Sequence, residues 1–147
     1  MIRNVVIFWL ATLASVRADR IPRTPSVPLH PVKYYIHVLN GLSNLDLGVH
    51  CQSKDNDLGY QHLINRGDDF QWNFKENIWG TTLFWCKLVK RDAYVSFEIF
   101  WPESKNFWLR DRCGSEGNCI WTAKDDGIYL RNNPTNVDEY VHNWIPY

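Results

Sequence analysis

Phe70-Gln71-Trp72-Asn73-Phe74-Lys75 alternates without exception, three aromatic rings on one parity and three polar side chains on the other. Successive side chains of a strand point to opposite faces, so this segment reads as a β-strand with an aromatic inner face and a wet outer one. The same period recurs on both sides of it. In Tyr34-Tyr35-Ile36-His37-Val38-Leu39 the even positions are aromatic or β-branched, and Asn40-Gly41 ends the run as a turn dipeptide. Leu47, Val49 and Cys51 share one parity against Gly48, His50 and Gln52, which sends Cys51 inward and His50 toward solvent. Thr81 to Val89 is more continuously apolar, as expected of a strand covered on both faces or central in a sheet. Val95, Phe97, Ile99 and Trp101 oppose Ser96 and Glu98 until Pro102 stops the strand. Cys119, Trp121 and Ala123 lie on one parity, Asp126-Gly127 is a hairpin turn pair, and Ile128-Tyr129-Leu130 returns.

Beyond the N-terminus no segment sustains a 3.6-residue period, and no internal repeat is visible. About seven to eight short strands, roughly 8 to 12 residues apart, predict an all-β chain: a small, disulfide-bonded antiparallel β-sandwich. This domain takes residues 32–131. Residues 132–147, with Asn132-Asn133-Pro134, lack alternation and read as an irregular C-terminal tail.

Residues 1–18 read as a signal peptide. Arg3 supplies the positive start, Val5 to Val16 an apolar run, and Val16-Arg17-Ala18 a cleavage point after Ala18. A membrane anchor needs about 20 apolar residues, and Arg17, Asp19 and Arg20 close this run too early. The expected product is secreted and extracellular, without membrane insertion. Residues 19–31 form a Pro-rich leader, with prolines at 22, 25, 28 and 31 matching the three-residue turn of polyproline II. An extended spacer is the simpler reading of it than a ligand for a polyproline groove.

In an oxidising compartment the even set Cys51, Cys86, Cys113 and Cys119 implies two disulfides. No C-x₂-C pair supports zinc. Three connectivities are open; the short loop from Cys113 to Cys119 is favoured, which leaves Cys51 with Cys86. Removal of residues 1–18 leaves 14 basic against 16 acidic residues, a net charge of −2. A nucleic-acid partner is not expected, since phosphate binding needs a basic excess. No N-x-[ST] acceptor exists in the mature chain, because Asn133-Pro134-Thr135 is excluded by its proline.

Four blocks carry a resemblance. His50-Cys51-Gln52-Ser53-Lys54-Asp55-Asn56-Asp57-Leu58-Gly59, Phe70 to Phe74, Trp79-Gly80-Thr81-Thr82-Leu83-Phe84-Trp85-Cys86, and Cys119 to Tyr129 resemble, in this order, the plant self-incompatibility protein S1 family, the S-protein homologues. The similarity covers roughly Val32 to Leu130. It implies a secreted β-sandwich with two disulfides, whose poppy members are stigma-borne determinants that bind a pollen membrane protein and trigger rejection of self pollen. One departure is Asn56, where family members commonly carry a third carboxylate.

Catalysis is not expected. Glu76 and Glu98 fall on loop or polar-face positions and read as solvated acids, the five histidines are scattered, and there is no G-x-S-x-G. The paired histidine motifs of a ribonuclease are absent as well. Lys54-Asp55-Asn56-Asp57 lacks the Gly and distal Glu of an EF-hand, so no cofactor or metal is expected.

A binding module remains. Its candidate receptor-binding loops are Lys54, Asp55, Asn56 and Asp57; Glu103, Lys105 and Asn106; and Ser115, Glu116 and Asn118 in the loop closed by the cysteines, whose Ser and Gly residues read as tolerant of variation. With the resemblance supplying the partner class, the expected product is a monomer that serves as an extracellular ligand for a plasma-membrane receptor in cell–cell recognition or signalling. A secreted defence protein acting directly on microbes is the alternative, and the absence of a cationic surface excess counts against it.

Overall fold

A computed structural model describes residues 32–147; the expected signal peptide and Pro-rich leader lie outside the described residues. Ten strands and a short helix are found among them. They run β1 (Lys33–Asn40), β2 (Leu47–Ser53), β3 (Asp57–Leu63), β4 (Asp69–Lys75), β5 (Phe84–Lys90), β6 (Ala93–Phe100), α1 (Trp108–Cys113), β7 (Asn118–Lys124), β8 (Gly127–Asn132), β9 (Val137–His142) and β10 (Ile145–Pro146). Two five-stranded sheets result, ordered β4-β1-β7-β8-β9 and β10-β6-β5-β2-β3. The inner parities seen in the sequence meet between them: Tyr34, Ile36 and Val38 of β1, Leu47, Val49 and Cys51 of β2, and Trp121 of β7 are all at most 1% exposed.

The sandwich is not wholly antiparallel, because β1 and β7 run in the same direction, Tyr35 beside Asn118 and Val38 beside Trp121. Parallel neighbours need a long crossover. Here the chain leaves β1, builds most of the other sheet, and returns through α1. Cys51 bonds Cys86 between directly opposed residues of β2 and β5, and Cys113 bonds Cys119 between α1 and β7.

Two expectations need correction. The segment 132–147 is not an irregular tail: β9 pairs antiparallel with β8 and β10 with β6, while Trp144 donates its indole N–H to Lys124 O at 2.7 Å. These strands lie at sheet edges, where one flank is wet and the side chains need not alternate in polarity; Tyr140 and Val137 are exposed while Lys124 pairs with Asp138. The strand count is also ten rather than seven to eight, the additions being these two and the edge strand β3.

Both sheets place the same set of connections together. Phe84 at the start of β5 lies opposite Ser53 at the end of β2 and Phe100 at the end of β6. In the other sheet Lys33 opens β1 opposite Lys75, which ends β4. The rings of Tyr34, Phe74, Phe84 and Phe100 pack against one another across the core, with centroids 4.6 to 4.8 Å apart in three of the pairs. One end of the sandwich therefore carries the connections at 54–56, 76–83, 101–107, 114–117 and 133–136.

Candidate recognition end of the sandwich

All three candidate loops lie at this end. In the first, Lys54 and Asp55 are exposed, and Asn56 contributes its backbone carbonyl to Ser53 N–H at 2.8 Å. Asp57 is committed to the fold: its carboxylate accepts the Gly59 N–H at 2.8 Å and meets His50 Nε2 at 2.7 Å, and these bonds hold it below the usual carboxylate range. His50 does lie on the outer face, stacked on the Tyr60 ring at 4.2 Å.

The second loop is mostly occupied by its own contacts. Glu103 is half-buried with Arg110 Nε at 3.1 Å, and Lys105 meets Glu98 at 2.5 Å. Asn106 Oδ1 accepts from Trp101 Nε1 at 2.9 Å and from Trp108 N–H at 3.1 Å, an Asx-type turn just before α1. Around it Lys105, Trp101, Trp108 and Arg112 form a ladder, with Trp101 and Trp108 stacked 5.8 Å apart and the Arg112 guanidinium 4.0 Å from the Trp108 ring. Trp108 is thus half-buried between ring and cation.

In the third loop Ser115 and Glu116 are exposed, and Asn118 O accepts from Asn133 Nδ2 at 2.7 Å. With Asn133 and Pro134 these residues line a recess of about 360 Å³. Gly117 is not tolerant of variation: its φ is +71°, and a Cβ there would lie 2.6 Å from Lys33 O.

The sequence reading missed two features of this end. Ile78 and Trp79, 75% and 79% exposed, cap the 76–83 connection. Asn77 holds that connection through its side chain, donating to Thr81 Oγ1 at 2.8 Å and accepting the Thr81 N–H at 2.9 Å, and Ser104 Oγ donates to Gly80 O at 2.7 Å. The signal was an Ile-Trp pair set between the turn formers Asn77 and Gly80. The second is Glu76, which is not the solvated acid its loop position implied. Burial and the Glu103 carboxylate push its pKa up, and the same pocket raises Tyr34 to about 12. The Arg110 guanidinium lies over the Tyr34 ring at 5.5 Å, so this group plugs the end of the core. Glu98, by contrast, is on the outer face.

A family model described as Plant self-incompatibility protein S1 matches residues 35–144. S-protein homolog 74 of Arabidopsis thaliana is 41% identical over 113 residues, covering 76% of this chain and 72% of that protein. Self-incompatibility protein S1 of Papaver rhoeas is 36% identical over 98 residues, covering 64% and 65%. A solved structure of a Self-Incompatibility Protein Homologue, described as from a widespread family of small, highly stable, secreted proteins from plants, superposes with a TM-score of 0.57 at 19% identity over 78% of this chain and 96% of that one. At that identity the likeness is one of fold.

Proposed function

The chain belongs to the plant self-incompatibility protein S1 family, and from that membership we propose that its mature form is secreted and acts as an extracellular protein ligand for a cell-surface receptor in cell–cell recognition or signalling. The relative from Papaver rhoeas is named Self-incompatibility protein S1. One observation carries the reading here: the sheet registers gather five connections at one end of a doubly disulfide-bonded sandwich, among them Lys54, Asp55, Ser115 and Glu116 in water beside the exposed pair Ile78 and Trp79. A rigid frame that holds mixed polar and aromatic side chains loses little conformational entropy on binding, and an exposed tryptophan on a braced loop is a typical energetic anchor. Of the candidate residues, Asp57, Glu103, Lys105 and Asn106 serve by shaping the loops.

Catalysis is not part of this proposal. The half-buried acid Glu76 sits in a plug with Glu103, Arg110 and Tyr34. Among the described residues no helix is long and apolar enough to cross a membrane.

The test is binding of labelled mature protein, made in an oxidising host, to intact plant cells of expressing and neighbouring tissues. Saturable binding displaced by unlabelled protein is expected. Binding that is absent, or that rises linearly with concentration on every tissue, contradicts the proposal.

A further inference from the structure

Strand β4 ends its sheet, and its outer edge carries an unusual self-complementarity. On its inner flank it pairs with β1 over seven consecutive residues without a bulge, from Lys33 opposite Lys75 to Leu39 opposite Asp69. In that register Glu76 N–H donates to Val32 O at 3.1 Å and Asn40 N–H donates to Asp68 O at 2.9 Å. Bonded and non-bonded pairs alternate in an antiparallel ladder, so Phe70, Trp72 and Phe74 turn their backbone groups toward β1. Asp69, Gln71, Asn73 and Lys75 turn theirs toward the open edge.

Natural edge strands are blunted by proline, bulges, inward charge, shortness or charged edge side chains. In Asp69-Phe70-Gln71-Trp72-Asn73-Phe74-Lys75 the only such device is charge, of opposite sign at the two ends. Laid antiparallel on itself about Trp72, this sequence is a chemical palindrome. Asp69 faces the partner's Lys75, Phe70 the partner's Phe74, Gln71 the partner's Asn73, and Trp72 the partner's Trp72. Odd positions meet odd positions, so the outward backbone groups of both copies fall into mutual register. Among the described residues the inward rings Phe70, Trp72 and Phe74 pack against the core but are only half-buried, whereas their neighbours Tyr34, Ile36 and Val38 in β1 are buried.

We propose that the open edge of β4 binds β4 of a second copy of this chain, giving a two-fold dimer with a continuous ten-stranded sheet. This departs from the monomer expected from the sequence and does not depend on the receptor reading. Charge complementarity at both ends of the ladder selects the register, since sliding the strands by two residues separates Asp69 from the partner's Lys75. Asp69 also meets His37 Nδ1 at 3.0 Å in the monomer, and a carboxylate has lone pairs for both partners. A closed two-fold interface stops at two chains.

The test is sedimentation equilibrium of the mature, disulfide-bonded protein from roughly 10 μM to 1 mM, the range of weak association. The wild-type mass should rise toward that of two chains. Lys75→Glu alone places like charges at both ends of the ladder, as does Asp69→Lys alone, and each should raise the dissociation constant at least tenfold. An equimolar mixture of the two variants should dimerise again, because every end pair is then opposite in sign. Gln71→Pro, whose lost N–H faces the open edge, should keep the monomer fold by circular dichroism and abolish the dimer. A wild type that stays monomeric throughout, single charge variants or Gln71→Pro that dimerise like the wild type, or a mixture that fails to re-associate would each overturn the proposal.

Discussion

His142 stands half-buried at the sandwich edge, its ring 4.5 Å from Phe97 and 6.1 Å from Trp121. Burial holds its pKa below the usual 6.5, so the unfolded chain takes up the proton first. Stability is then fully present above about pH 6.5 and falls as the pH drops toward the folded-state value. Asp46, Asp57, Asp92 and Asp125, all held below 3.8 by their hydrogen bonds, lose their contributions only in stronger acid. Between pH 7.5 and 5.5 the thermal midpoint of the wild type should therefore fall further than that of His142→Phe; parallel curves would remove His142 as the cause. Gly117 gives a second case. Gly117→Ala brings a Cβ to 2.6 Å from Lys33 O at positive φ, and chemical unfolding should show a loss of about 2 kcal/mol or more. Neither role was legible in the sequence, because a histidine in an edge strand and a glycine in a polar loop reveal their surroundings only once the distant strands that touch them are placed.

At the scale of elements, legibility followed the number of covered faces. The strands β1, β2, β6 and β7 each bury one parity and alternate visibly, as Tyr34, Ile36 and Val38 do in β1, and β4 alternates with its inward rings half-buried. Strand β3 has no clean alternation, because at the sheet edge both its flanks are partly wet, and Ser53 to Asp57 reads as loop until Asp57 is seen to pair with Gln52. Helix α1 is six residues long, too short to show a period; Leu109 and Cys113, four apart, are its buried residues. The Cys51–Cys86 bond joins adjacent central strands 35 residues apart in sequence. Cys51→Ser and Cys86→Ser should each cost about 2 to 5 kcal/mol, and the double variant no more than either single one, since the same cross-link is lost. Additive losses in denaturant midpoints would show that the two sulfur atoms act separately.

For the whole molecule, the three candidate loops were legible as loops, whereas their meeting at one end was not. That meeting depends on the parallel β1–β7 pair and on the crossover through α1, neither of which leaves a local pattern. The exposed pair Ile78 and Trp79 was hidden for the opposite reason: large apolar residues normally count toward the core, and only the completed sandwich leaves these two outside. Family membership does not by itself fix a function. What the fold adds is a distinction between its two ends. Displacement of labelled wild-type protein from receptor-bearing cells by unlabelled variants tests that distinction directly. Variants changed at the recognition end, Lys54→Ala with Asp55→Ala, Trp79→Ala, and Ser115→Ala with Glu116→Ala, are predicted to lose competing power at least tenfold while keeping the wild-type thermal midpoint. Variants changed at the far end, Asn65→Ala and Arg66→Ala, should compete like the wild type. Loss confined to the far-end variants, or full competition by every recognition-end variant, would contradict the account.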